Sequence, residues 1–485
     1  MTEKGFIELV DFRNYDSQKE ESTFISESER ESTIFNINGI NETEIKKLAE
    51  TQDIIYKEKT CSLKEGSVQG SVFTLSSIAF GIGAFSLPIR CAQIGCFWYL
   101  IAIILGGMVT YWTISTLVQS ALTVNGEEYS TSVKRIIGKI PAIIIDIIIL
   151  IYIFGVIIQY MVIVYALFGR TYYEFFVDKE KYINFDLFAK NVWNINYIKY
   201  PIMFGLTFLI CPICLLKDIS KMRFVSLFGI CAFIYSVLII IIESPFFFIN
   251  YKKNIYNEDD PSTYANWFDI SRGFTKDLNF FTSIATVFFV YSCHTGVFPV
   301  YKSLNNKSPN NINTVFFRST LLVSIIYLLI AICGFITDPI CSESLIIFRK
   351  NIFKNDFFMI NAKMALALFL YLNIPINYNS LRSSFFLLFF NTNNIENGKN
   401  FTVTYSILFL ATFIGAIFED ISSYISLLGG FCCSILCFLV PGILMIMTST
   451  EKFYSCLNLI KIIVILILCI IGFTAGILTI IKLFS

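Results

Sequence analysis

From residue 66 onward the chain alternates long apolar runs with short polar breaks, and charged residues gather in the breaks. By apolar length the runs predict about eleven membrane-spanning helices, at residues 67–89, 96–122, 140–168, 199–216, 222–243, 278–301, 316–337, 359–388, 401–418, 421–447 and 459–483. Each run is apolar all round, unlike the alternating strands of about ten residues that build a membrane β-barrel. The predicted fold class is an all-α polytopic membrane protein.

Composition agrees: the 485 residues are 55% hydrophobic and only 15% charged, where soluble domains average about 25% charged. The net charge of +1 hides a partition, because residues 1–65 hold 15 acidic and 9 basic side chains and the remainder 21 and 28. Segments such as ESTFISESEREST (21–33) predict a disordered, acidic cytosolic tail over 1–65. That tail lacks the apolar core of a secretory signal. Residues 66–485 form the transmembrane domain. No basic face suited to nucleic acid emerges.

Lys and Arg in short loops set orientation. With the N-terminus cytosolic, Lys134, Arg135 and Lys139, then Lys217, Lys221 and Arg223, then Lys302, Lys307 and Arg318, and finally Lys452 and Lys461 all fall on the cytosolic side. The sequons at Asn41, Asn306 and Asn400 share that side. Most of the 14 cysteines, among them Cys211 and Cys214 of a CPIC sequence, lie in apolar runs and are expected to pack as small hydrophobes.

Two runs contain residues unsuited to an unbroken helix: GIGAFSLP (81–88) in the first and SCHTGVFP (292–299) in the sixth. Spans five apart have opposite orientation, and matching breaks in two such spans are the mark of an inverted repeat. Irregular backbone is tolerated at membrane depth only where it lines a protein-enclosed or watery cavity. A broken helix there presents amides at one end and carbonyls at the other, suited to the carboxylate and ammonium of an amino acid. GIG is no dinucleotide fingerprint: residue 86 is Ser, and no strand–turn–helix surrounds it.

SVFTLSSIAFGIGAFSLPIRCAQIG (71–95) resembles the first span of the amino acid/auxin permease family, and FFVYSCHTGVFPVYKSL (288–304) resembles its sixth. LLGGFCCSILCFLVPGIL (427–444) is similar to its tenth, and NIPINYNSLRSSFF (373–386) more loosely to its eighth, with Arg382 at the basic position. The resemblance implies a leucine-transporter-like fold, a five-plus-five inverted repeat with an eleventh helix outside it. It also implies secondary transport of amino acids driven by protons or sodium. On that basis Ile82, Gly83, Ala84 and Phe85 would donate amides to the substrate carboxylate, carbonyls near Ser292, Cys293 and His294 would help receive the ammonium, and Gly81 and Thr295 belong to the same substrate-binding set. Sodium-coupled members carry Asn and Thr where this chain has Ser77 and Ser383. Both serines keep a hydroxyl oxygen, so a sodium site there stays open, with proton coupling or facilitated diffusion slightly favoured.

His294, the single histidine, is a candidate proton-coupling group because imidazole titrates near physiological pH. Asp146, amid isoleucines inside the third span, is a second, unless it reaches the interface beside Lys139. Gln159, Tyr160 and Tyr165 follow along that span as candidate lining residues. Lys363 and Arg382 are expected to mark the two interfaces of span 8. Asn373, Asn377 and Asn379 face either the cavity or a neighbouring helix. Gly106, Gly107, Gly429 and Gly430 are expected at close helix contacts.

The sequence thus predicts a monomeric, non-enzymatic amino acid carrier in the plasma membrane or a vacuole- or lysosome-like membrane. It has a small-molecule substrate and no cofactor beyond a coupling ion. A transporter-like sensor or channel is the alternative, and a membrane-embedded transferase using His294 as base a more distant one.

Overall fold

The Ser67 hydroxyl accepts from the Gly70 amide at 3.1 Å, satisfying one of the donors that every helix start leaves unpaired. Helix α1, Val68–Ala79, follows. It stops at Phe80, where the backbone turns extended and Gly81 takes φ −131° and ψ 175°. A 3₁₀ turn, Ile82–Ser86, leads into α2, Leu87–Ile94, with Pro88 in the first turn, where its missing N–H is harmless. The axis bends by 55° across this interruption.

The computed structural model describes residues 66–177, 185–216, 223–255, 279–337, 343–349, 356–390, 396–418, 420–449 and 456–484. The tail 1–65 and the orienting residues Lys217, Lys221 and Lys452 lie outside the described residues. After α2 come α3 (Cys96–Thr123), the short α4 (Tyr129–Ile136), α5 (Lys139–Phe176), α6 (Asn196–Cys214) and α7 (Arg223–Ile255). Then α8 (Asn279–Val290), a 3₁₀ turn at His294–Gly296 and α9 (Val297–Ser303) make the second interrupted span. Next are α10 (Pro309–Thr337), α11 (Phe357–Phe390) and α12 (Asn397–Ile417). The chain ends with α13 (Ile421–Leu427), a π-helical stretch Leu428–Leu439, α14 (Val440–Thr448) and α15 (Cys456–Phe484). Among the described residues ten helices are long and apolar enough to cross a membrane, or eleven if the bent pair α1/α2 is one span, and there is no strand.

Leu105, Met108, Phe208, Leu209, Leu410 and Ile470 are all more than half exposed. In water so much apolar surface would be unfavourable; for a bundle whose solvent is hydrocarbon it is the expected outer face. Lipid offers no hydrophobic drive between helices, so small residues and polar bonds hold the interior together. A Cβ on Gly429 would stand 2.2 Å from the Ala285 carbonyl, and one on Gly430 2.7 Å from the Gly476 amide, so α8 and α15 approach the π-helical stretch backbone to backbone. Gly106 and Gly107 admit Val287, Tyr291 and Ser324 in the same way. Ser236 of α7 donates to the Ala362 carbonyl of α11 at 3.0 Å, and Thr207 of α6 meets Thr412 of α12 at 2.5 Å.

Lys363 and Arg382 do not reach solvent at the ends of span 8: they are 2% and 3% exposed, because α11 packs along α5 and α7. Arg382 turns inward to donate to the carbonyls of Cys214 at 3.2 Å and Leu216 at 3.1 Å, and also to Asn379. It thereby serves acceptors that the end of α6 would leave unpaired. The third span likewise runs on past 168 to Phe176, and the fifth past 243 to Ile255.

Candidate functional site

The two interruptions lie against each other. A Cβ on Gly83 would fall 2.7 Å from Val290 and 2.9 Å from Phe289, the last residues of α8; one on Gly296 would fall 2.6 Å from Ile78, in the last turn of α1. Each break is therefore seated on the half-helix that leads into the other, and glycine is what lets it sit there.

Tyr327 of α10 joins them. Its hydroxyl lies 2.6 Å from the Ala79 carbonyl and 2.9 Å from the Val290 carbonyl, the final residues of α1 and α8. One phenolic proton serves both acceptors in a three-centre bond. On the other side of the first break, the Gly81, Ile82 and Gly83 amides make no main-chain hydrogen bond among the described residues, whereas Ala84 donates to the Gly81 carbonyl at 3.2 Å. Unpaired amides at the start of a helical turn carry partial positive charge. In the second break the Cys293 and His294 carbonyls already accept the Gly296 and Val297 amides. The Ser292 carbonyl has only a long contact of 3.5 Å from Tyr152, whose stronger bond is to the Ser292 hydroxyl. Ser292 thus offers the freest acceptor of the three.

Aromatic side chains wall this region. Phe80 stacks on Phe233 at 4.8 Å, and Phe85 meets the same ring edge-on at 5.3 Å. Tyr160 of α5 stands over Gly81, its hydroxyl 3.5 Å from where a Cβ would lie. Ile82, Ala84 and Phe85 are 0% exposed and His294 is 1% exposed. Residues Leu345–Phe348, between α10 and α11, are buried beside the 3₁₀ turn Ile82–Ser86, with Ile346 and Pro88 meeting at Gly334.

A family profile described as transmembrane amino acid transporter protein matches residues 64–485. The chain belongs to this family. Vacuolar amino acid transporter 5 of Schizosaccharomyces pombe is 21% identical over 378 residues, 77% of this chain and 82% of that protein. Amino acid transporter AVT6D of Arabidopsis thaliana is 22% identical over 79% of this chain and 85% of its own length. Vacuolar amino acid transporter 6 of Saccharomyces cerevisiae is 20% identical over 66% and 65%.

In this transporter-family chain the remaining candidates separate into distinct places. The His294 Nε2 lies 2.8 Å from the Thr113 hydroxyl of α3, while Nδ1 is buried without a partner among the described residues. Thr113 also reaches the Val109 carbonyl at 3.0 Å. If the threonine proton goes there, Nε2 carries the imidazole proton and Nδ1 is bare. Thr295 is half-buried within the same turn. Asp146 is away from this centre: it is buried and accepts the Ser130 hydroxyl at 2.6 Å, tying α4 to α5. Ser77 is buried and donates to the Thr74 carbonyl at 2.7 Å; Ser383 is exposed and donates to the Asn379 carbonyl at 3.1 Å. Tyr165 bonds the Trp193 carbonyl at 2.5 Å and stacks on that indole, a packing role. Gln159 is fully buried, and neither its oxygen nor its nitrogen has a partner among the described residues. An amide orphaned this way is costly unless a ligand or water completes it.

Tyr327 and Tyr152 carry no signal in the sequence, each being one tyrosine among many in apolar runs. Glu243 did carry a signal, a carboxylate at the end of a predicted span. Arg349 and Asp356 sit in a polar connection where charge is unremarkable.

Proposed function

We propose that this chain is a secondary amino acid transporter working by alternating access, proton-coupled or facilitative. The observation that supports the reading is the seating of Gly83 on Val290 and of Gly296 on Ile78, which brings the two interruptions against each other. The free amides of Gly81, Ile82 and Gly83 would receive the carboxylate, and the Ser292 carbonyl the ammonium. Gln159 and the surrounding aromatics would meet the variable part of the substrate. The five-plus-five inverted repeat, the cytosolic N-terminus and a monomeric state belong to the same proposal. A vacuole-like membrane is favoured by the names of two relatives, both called vacuolar amino acid transporters. His294 and Asp146 remain the candidates for proton coupling inside the spans, and Ser77 with Ser383 for a sodium site.

The test is uptake by the purified full-length protein in proteoliposomes, across a panel of amino acids, under imposed pH and sodium gradients. Saturable counterflow of at least one amino acid, with accumulation responding to pH more than to sodium, is expected. Absence of counterflow for the whole panel would sink the carrier reading in favour of a sensor or channel.

A further inference from the structure

Between α10 and α11 the segment 343–349 packs onto the first break. Leu345, Ile346, Ile347 and Phe348 are buried, and Ile346–Phe348 form a 3₁₀ turn in which the Phe348 amide donates to the Leu345 carbonyl at 2.9 Å. This turn lies beside Ile82–Ser86, and Ile346 meets Pro88 at Gly334. The segment is thus an apolar stopper on the interruption whose amides would receive the substrate.

A cluster of charges holds the stopper through two arginines, each in a different way. Arg170, near the end of α5, donates through Nη2 to the Glu343 Oε2 at 3.0 Å and through Nη1 to the Phe348 carbonyl at 3.2 Å. Its guanidinium lies 4.3 Å from the Phe348 ring centroid and 4.5 Å from that of Phe185. One side chain from outside the segment therefore grips both Glu343 and the 3₁₀ turn. Arg349, at the other end, is ion-paired to Glu243 of α7 and lies 3.9 Å from the Phe247 ring centroid. Asp356 is engaged at the start of α11, where its Oδ1 accepts the Met359 amide at 3.0 Å.

Burial separates the two grips. The Arg170 and Glu343 side chains are 14% and 21% exposed, so water can take the place of each partner as it leaves, and pairs open to water part at little cost. The Arg349 and Glu243 side chains are 2% and 9% exposed, and parting them would strand a charge in apolar surroundings. We infer that Arg170 is a positioning residue of the transport cycle. It latches the 343–349 segment over the first break, and passage of substrate on that side requires its contact with Glu343 to part while the Arg349–Glu243 pair anchors the other end. The structure shows the latched form. The inference rests on the carrier reading and adds to it the side chain that sets when the first break is covered.

The test uses the full-length protein in proteoliposomes, with an amino acid that wild type exchanges. A latched stopper retains substrate, so Glu343→Gln and Arg170→Gln are each expected to raise the half-saturating concentration for counterflow about fivefold without lowering the maximal rate. The double variant is expected to be no worse than either single one, because both remove the same contact. A half-saturating concentration equal to that of wild type, whether or not the maximal rate falls, would overturn the inference and leave a merely structural contact. In a second arm, Arg170→Cys with Glu343→Cys is tethered by a bis-maleimide with a reducible spacer, and wild type treated alike controls for the native cysteines. Tethering is expected to abolish counterflow and reduction to restore it; a tethered protein that still exchanges at the untethered rate refutes the latch. If the double-cysteine variant does not fold or does not crosslink, the half-saturating concentration of Glu343→Gln decides alone. Wild type without counterflow is the separate failure of the carrier reading.

Discussion

The Tyr327 hydroxyl stands 2.6 Å from the carbonyl of Ala79, the last residue of α1, and shares its proton with the equivalent carbonyl of α8. A single side chain of α10 thus completes the carbonyl ends of both interrupted spans. Tyr327→Phe leaves two buried carbonyls without a donor, a cost of about 1–3 kcal/mol. A lowered apparent melting temperature and slower counterflow are expected, measured by fluorescence-detected size exclusion after heating and by proteoliposome exchange. A variant as stable and as fast as wild type would show that the bridge has no role.

Gly83 and Gly296 are space requirements. Gly83→Ala pushes a methyl into Val290 and Phe289, and Gly296→Ala pushes one into Ile78. Overpacking costs about 1–3 kcal/mol, or roughly five- to a hundredfold in rate if all of it falls on the transport step. Gly205→Ala, where a Cβ meets nothing within 4 Å, is the control and is expected to transport like wild type.

His294 has a hydroxyl for a neighbour and one bare nitrogen. If it carries the coupling proton, His294→Ala abolishes the pH response of uptake, while Thr113→Val alters it without abolishing it. If it only shapes the break, both variants shift the maximal rate and leave the pH profile where it was. Uptake measured across pH under a fixed amino acid gradient separates the two.

Gln159 is the orphan amide of α5. Replacing it with Leu removes two unpaired buried groups of similar shape, so the protein is expected to be no less stable than wild type. Its relative uptake of polar over apolar amino acids is expected to fall. An unaltered substrate profile in Gln159→Leu would take this residue out of the site.

Arg349 tests the charged cluster for stability alone. Arg349→Met leaves Glu243 buried without its cation, and breaking a buried pair from one side costs about 3–5 kcal/mol. The double variant Arg349→Met, Glu243→Leu is expected to recover much of that loss, read as the melting temperature of the detergent-solubilised protein.

The amino-acid order alone determined that this chain is a bundle of about eleven membrane helices, because runs of this length and apolarity have no other stable fate in lipid. It also determined where the first and sixth spans break, because Gly81, Gly83, Pro88, Gly296 and Pro299 act within a turn of themselves. Local chemistry of that kind is legible in one dimension. The partners were decided only in three. Nothing near Tyr327 in sequence announces that its hydroxyl meets residues 79 and 290, and nothing near Lys363 and Arg382 announces that both are buried against neighbouring helices. The ion pair of Glu243 with Arg349 joins residues of a helix and a distant connecting segment that only packing brings together. Burial turns these ordinary polar side chains into consequential ones, since it removes the water that would otherwise satisfy them, and burial is a property of the assembled bundle.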